Sequence, residues 1–223
     1  MFFDTYSYRK KLMYNESDAV KYDLNYPIFS GGNNTSKINL YNRSLIERVV
    51  NKSARSLYRD AVKQYMILIK HNSFTPFEVK NNFNIMFMNN NIISIFWDFY
   101  ISRGAQGIMM HRVCQNWNME KPALFTLRDI FRPDRDWKNH LMTLLKKEIR
   151  CFESEMSTNC FEGWQNVIYN SVEKSRFYIS DSGLVVYCAQ GSVASDLWGI
   201  PSFLVSFCDL DGMLDKKFVQ SLQ

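Results

Sequence analysis

Glycine and proline are scarce in this chain, at 9 and 5 of 223 residues. A composition so poor in both points to a chain folded throughout, without long flexible linkers. Long apolar runs are missing too. No window approaches the roughly 18 to 20 consecutive apolar residues of a membrane-spanning helix. The first residues, MFFDTYSYRKKLMYNESD, carry neither the apolar centre nor the small-residue cleavage site of a secretory signal. As written, the chain is expected in the cytoplasm, or outside it if an anchor has been lost. Charge of one sign is nowhere concentrated. The 27 basic and 22 acidic residues are interspersed and leave a net charge of +5. Nucleic-acid and membrane-surface binding call for basic clustering, so neither partner is expected.

Chemistry-bearing motifs are equally sparse. The five cysteines, Cys114, Cys151, Cys160, Cys188 and Cys208, are odd in number and never spaced C-x-x-C. That excludes the usual zinc and redox-dithiol patterns. The set fits reduced, partly buried thiols, although one disulfide beside three thiols fits as well. His71, His111 and His140 lie far apart, outside any H-x-x-x-H or H-E-x-x-H arrangement. Asp129, Asp134 and Asp136 lack the calcium-loop pattern and fit helix caps better. Asp181 and Ser182 precede Gly183 as turn residues. Cys114 and His111 fall on opposite faces of one strand, which separates a thiol from its nearest base. No enzyme activity, metal or cofactor is expected.

What the chain does have is aromatic residues, 15% of the total, in alternating patterns. The stretch Ile92 to Trp117 organises the rest. Ile93, Ile95, Trp97 and Phe99 share one face at period two, and Phe96 and Tyr100 share the other. Met109, His111, Val113 and Gln115 alternate in the same way after the turn Arg103-Gly104-Ala105-Gln106-Gly107. The spacing predicts a β-hairpin, with glycine supplying the positive φ that the turn needs.

Around it the expected order is as follows. Phe2 to Met13 is a strand and Ala19 to Phe29 a second, with Val20, Tyr22, Leu24, Tyr26 and Ile28 on one face. Pro27 places that strand at an edge or an end. Ile38 to about Ile69 is helical, capped by Asn42 or Ser44 and broken near Ser53. Asn72 to Asn82 is a connection, and Phe83 to Met88 a short strand. Pro122 to Leu127 closes a meander and Thr126 to Phe131 turns as helix. Helices follow near Trp137 to Phe152 and Phe161 to Val172. Phe177 to Tyr187 is a hairpin, Pro201 to Phe207 a strand, and Asp209 to Gln223 contains a short helix. The predicted class is α+β with mainly antiparallel sheet.

Four stretches in this order resemble one family. They are Arg103-Gly-Ala-Gln-Gly107, Pro122-Ala-Leu-Phe-Thr-Leu-Arg-Asp-Ile-Phe131, Phe177-Tyr-Ile-Ser-Asp-Ser-Gly-Leu-Val-Val-Tyr187 and Gly199-Ile-Pro-Ser-Phe203. Together they resemble the RsiV-like domain, found in the receptor part of an anti-sigma factor and ahead of the deacetylase module of PdaC-type peptidoglycan enzymes. The likeness covers roughly Phe83 to Phe207, and Tyr26 to Tyr65 is similar to the smaller domain that usually precedes it. It implies two α+β subdomains, 1–80 and 81–223, with no catalysis in this region. It also implies a bacterial, cell-wall-related receptor role, with lysozyme or peptidoglycan as partner. Arg103 and Gln106 stand where the family's turn has Gly and His. No transmembrane helix or sigma-binding segment is visible, so anti-sigma activity does not carry over.

The surface residues expected to touch a partner are Arg103, Gly104, Gln106 and Gly107 at the turn, and Trp117 and Trp198 in or beside loops. Tryptophan in a loop, unless it folds back onto the core, is enriched where proteins or sugars bind. The expected function is a non-catalytic binding module. The alternative is a cytoplasmic structural or regulatory protein that has kept the fold without the receptor role.

Overall fold

The computed structural model describes residues 1–71, 73–155 and 159–223, with His71 as backbone only. Asn72, at the start of the expected connection, and the His71 side chain lie outside the described residues. The chain divides into two compact units. One comprises Met1–Phe83 and Trp97–Met110, the other Asn84–Phe96 and His111–Gln223.

The first unit begins with β1 (Phe2–Tyr14) and β2 (Ser17–Ser30), an antiparallel pair in continuous register from Phe2↔Ser30 to Leu12↔Val20. Then comes α1, Thr35–Leu68, one unbroken helix of 34 residues. It contains neither glycine nor proline, and nothing interrupts it at Ser53. Instead the Ser53 hydroxyl bonds back to the Val49 carbonyl and meets the Tyr22 hydroxyl at 3.1 Å. The expected cap, Asn42, lies inside the helix and is fully buried. The helix lays Leu45, Ile46, Val50, Leu57 and Ala61 on the β2 face made by Val20, Tyr22, Leu24 and Tyr26.

After α1 the chain returns as β3 (Phe77–Met88), of which Val20–Asp23 of β2 pairs with Phe77–Lys80 in parallel. A strand, a helix and a parallel strand form a crossover, so the sheet is mixed rather than purely antiparallel. β3 starts six residues earlier than expected. Phe77, Val79 and Asn81 alternate inward, and a buried asparagine in that series disguises the pattern.

Three asparagines finish the edge of β2 that β3 leaves unpaired. Asn81 accepts from the Asn25 amide at 2.6 Å and donates to its carbonyl at 2.8 Å. Asn39 does the same for Phe29, at 2.8 and 2.9 Å. Asn42 donates to the Pro27 carbonyl at 3.0 Å. Pro27 sits in this outward-facing series, where its missing N–H removes no ladder bond. Past it the expected face gives out: Ile28 is exposed and Phe29 buried.

β3, β4 (Ile92–Ser102) and β5 (Ile108–Asn118) each contribute residues to both units. In the second unit the chain continues as β6 (Ala123–Leu124), α2 (Leu127–Ile130), α3 (Trp137–Glu155) and α4 (Trp164–Glu173). A three-stranded antiparallel sheet follows, β7 (Phe177–Ser180), β8 (Gly183–Tyr187) and β9 (Ser202–Ser206), and then α5 (Lys216–Ser221). Leu141, Leu145 and Ile149 of α3 and Ile168 of α4 share a core with Ile179, Leu184, Val186, Phe203 and Val205. Asp129 and Asp136 do cap helices. Asp129 closes a capping box with Thr126, and Asp136 accepts from the Asn139 amide. Asp134 instead pairs with Arg132 in two bonds, at 3.1 and 2.8 Å. The fold is α+β.

Candidate functional site

The β4–β5 turn is the exposed tip of the first unit. β4 ends at Ser102, a turn of 3-10 helix takes Gly104–Gln106, and β5 resumes at Ile108. Gly104 and Gly107 have φ of +64° and +88°, values that L side chains adopt only with strain. The root of the turn is fixed on α1. Arg103 Nη1 stands 3.9 Å from Asp60 Oδ2, and the Gly104 backbone lies against the Gln64 side chain and the Thr75 carbonyl. Arg103 Nε, a donor, and Gln64 Oε1, an acceptor, are both buried without a hydrogen-bond partner. Beyond the root, Ala105, Gln106 and Gly107 are exposed, and the first β5 residues, Ile108 and Met109, are 59% and 61% exposed. Met66 and Ile67, near the end of α1, are exposed at 56% and 69%.

The other two expected contact residues belong to the second unit. Trp117 is no loop residue. β5 runs on through Asn118, Trp117 pairs with Leu124 of β6, and the indole is 2% exposed. Its Nε1–H donates to Gln115 Oε1 at 2.8 Å, which satisfies the ring inside the core. Trp198 does lie at the surface, 41% exposed, closing a 3-10 turn over Asp196–Trp198 beside the almost fully exposed Leu197. Its ring meets Phe152 edge-on at 6.3 Å. Arg103, Gly104, Gln106 and Gly107 therefore form one cluster in the first unit, Trp198 belongs to the second unit, and Trp117 has no surface to offer.

A groove of about 650 Å³ in the first unit escaped sequence reasoning. β1 and β2 supply Tyr6, Tyr8, Tyr26 and Ile28, and α1 supplies Asn39, Leu40, Arg43 and Glu47. The Tyr6 and Tyr26 rings are 5.2 Å apart, and Arg43 Nε donates to Glu47 Oε1 at 3.0 Å. Burial raises the Tyr26 hydroxyl pKa, and the Glu47 carboxylate raises that of Arg43. Aromatic faces beside a fixed ion pair and an amide suit a polar, ring-shaped ligand. The signal was present in two halves, alternate tyrosines on the strands and helical spacing at 36, 39–40, 43 and 47.

Among the described residues, no three His, Cys, Asp or Glu side chains converge on a common point. Burial, reinforced by Glu153, pushes the Cys160 thiol up to about 11, and burial also raises Cys188. His140 Nε2 lies 2.8 Å from the Asp209 carbonyl, and His111 is an exposed strand residue. Among the described residues, no disulfide joins any cysteines and no helix is long and apolar enough to cross a membrane.

Comparison with known proteins agrees with this geometry at the level of fold. A search of curated proteins returned no match. A DUF3298-family protein of Bacteroides fragilis NCTC 9343 superposes with a TM-score of 0.67 at 12% identity, covering 99% of this chain and 96% of its own. A DUF3298-family protein of Pseudomonas aeruginosa PAO1 superposes with a TM-score of 0.61 at 10% identity, covering 98% and 97%. In sequence, residues 13–108 match the family model described as "Deacetylase PdaC" and residues 128–207 match the one described as "Protein of unknown function (DUF3298)".

Proposed function

We propose that this chain is a non-catalytic binding module of the RsiV-like receptor type, and that it recognises a protein of the lysozyme class through the β4–β5 tip. One observation carries the reading. Ile108 and Met109 stand 59% and 61% exposed on an arm whose root is fixed to α1 by Arg103 and Gly104. Exposed apolar side chains on a rigid support are the usual makings of a binding hot spot.

The test is retention of the purified chain on immobilised lysozyme and on insoluble peptidoglycan, with salt varied. Retention on lysozyme should survive salt, since apolar contacts are not screened. The double variant Ile108→Asp, Met109→Asp should weaken it by roughly thirtyfold, the loss of about 2 kcal/mol at a hot spot. No retention on either material, or retention that ignores both substitutions, overturns the proposal. The tyrosine groove favours a second reading, a cell-wall glycan as ligand. In that case Tyr6→Ala and Arg43→Ala lower peptidoglycan retention while the tip variants leave it unchanged.

A further inference from the structure

The two strands that open the chain treat their outer edges differently. β2 closes its unpaired edge with the amides of Asn81, Asn42 and Asn39. β1 is the terminal strand of its sheet, and among the described residues no strand pairs with its outer side. Its far end is closed, where the Tyr58 hydroxyl donates to the Met13 carbonyl at 3.0 Å.

Register tells which β1 residues face out. In an antiparallel ladder, residues directly opposite each other either exchange hydrogen bonds or both turn their N–H and C=O away. Asn25 and Phe29 turn theirs away from β1, toward Asn81 and Asn39. Their opposites, Ser7 and Phe3, therefore face the open edge, and so do Thr5, Arg9 and Lys11 in the same unshifted ladder. Such an edge is a template for another strand. Here it also carries Phe2 and Tyr6, 75% and 52% exposed.

We propose that β1 is the interface between two copies of this chain, joined as an antiparallel β1–β1 pair with its two-fold axis at Ser7. The argument is the register. Edge-facing residues must oppose edge-facing residues, so the axis moves only in single-residue steps and each step changes every pair. With the axis at Ser7, Thr5 meets Arg9 and Phe3 meets Lys11 of the second copy, and between them Tyr6 meets Tyr8 and Phe2 meets Leu12. Asp4, the one acidic residue of β1, then lies opposite Lys10, and symmetry makes that ion pair twice. An axis at Tyr6 sets Asp4 against Tyr8, one at Tyr8 sets it against Leu12, and one at Arg9 places two arginines face to face. Only Ser7 gives Asp4 a basic partner, and only a second copy offers this match, because the sequence is its own complement. The even-numbered side chains lie on the α1 side of the sheet, so the pairing brings the Tyr6–Tyr8 rims of two grooves together.

Sedimentation velocity on the full chain over a range of concentrations tests this, with circular dichroism as the check on folding. The unchanged chain should be a dimer. Lys10→Asp and Asp4→Lys should each weaken it about tenfold, since each turns two opposed ion pairs into like-charge pairs. The double variant should recover the original affinity. Thr5→Pro removes an edge-facing N–H that β2 does not use, and should give a folded monomer. A chain that stays monomeric at every concentration overturns the proposal. So does a dimer indifferent to Lys10→Asp and Thr5→Pro, or one that the double variant fails to restore.

Discussion

The two units satisfy their backbones in different ways, and the difference bears on function. In the first, a long helix covers one face of a short sheet, and side-chain amides stand in where a strand is missing. Its aromatic and apolar residues reach solvent at the β1 edge, in the tyrosine groove and at the β4–β5 tip. In the second, two sheet segments and helices α2 to α5 enclose a continuous core of aliphatic and phenylalanine side chains. Its buried polar groups point inward. The Ser94 hydroxyl donates to Asn116 Oδ1 at 2.7 Å and accepts from the Ile179 amide at 2.8 Å, and Asn116 Nδ2 donates to the Phe177 carbonyl at 3.0 Å. On the proposed reading a partner has purchase on the first unit, whereas the second combines a continuous core with exposed apolar residues at Leu197 and Trp198. Substitutions in the second unit should mainly change unfolding, and those in the first mainly binding.

The largest effect is expected at Gly183 in the second unit. An alanine Cβ there would lie 2.1 Å from the Val205 carbonyl oxygen, a backbone atom of the adjacent strand. β8 and β9 must part to admit it, so Gly183→Ala should cost about 3 kcal/mol. Truncating the fully buried Leu145 of α3 should cost a similar amount, about 3 kcal/mol, through the cavity it leaves. Denaturant midpoints measure both. Neither variant should alter retention by the tip once folded, and a specific loss of binding would break the comparison.

The polar pins come next. Asn116→Ala leaves the Ser94 hydroxyl and the Phe177 carbonyl short of a partner in a dry interior, at a cost of about 2 kcal/mol. Asn81→Ala frees the Asn25 amide and carbonyl near an open edge that water can reach, so about 1 kcal/mol is expected. Hydrogen exchange at the Asn25 amide should accelerate. If Asn81→Ala costs as much as Asn116→Ala, the first unit depends on its amides as the second depends on its core, and the contrast fails.

How much of this was legible in the sequence follows the same division. Period-two alternation in β1, β2 and β4, and two apolar runs around a tight turn in β7 and β8, gave those strands. The turn at 103–107 was legible from its glycines. β3 was cut short because Asn81 occupies an inward position where the pattern demands an apolar residue. Trp117 was misplaced because strand pairing with Leu124 prolongs β5, and pairing is a long-range fact that local composition does not carry. The parallel β2–β3 contact and the groove share that cause. Each joins residues far apart in the chain, so each half looks like an ordinary amphipathic surface by itself.

The smallest effect expected is acid sensitivity at the start of the first unit. Asp18 accepts from Lys11 at 2.9 Å and from Lys21 at 3.3 Å, and these bonds hold its carboxyl below the ordinary 3.8. A carboxyl whose folded pKa is depressed adds stability above its unfolded value and loses it as pH falls through the folded one. The contribution is therefore complete at neutral pH and fades below about pH 4. Both lysines are well hydrated, at 63% and 39% side-chain exposure, which screens the pair and keeps the effect small. Asp18→Asn should leave the neutral-pH midpoint nearly unchanged and flatten the fall in stability between about pH 5 and pH 2. A large loss at neutral pH would mean that the turn between β1 and β2 is held by this pair. Register along the exposed strand would then rest on charge, and the first unit's edge would be far less robust than the ladder suggests.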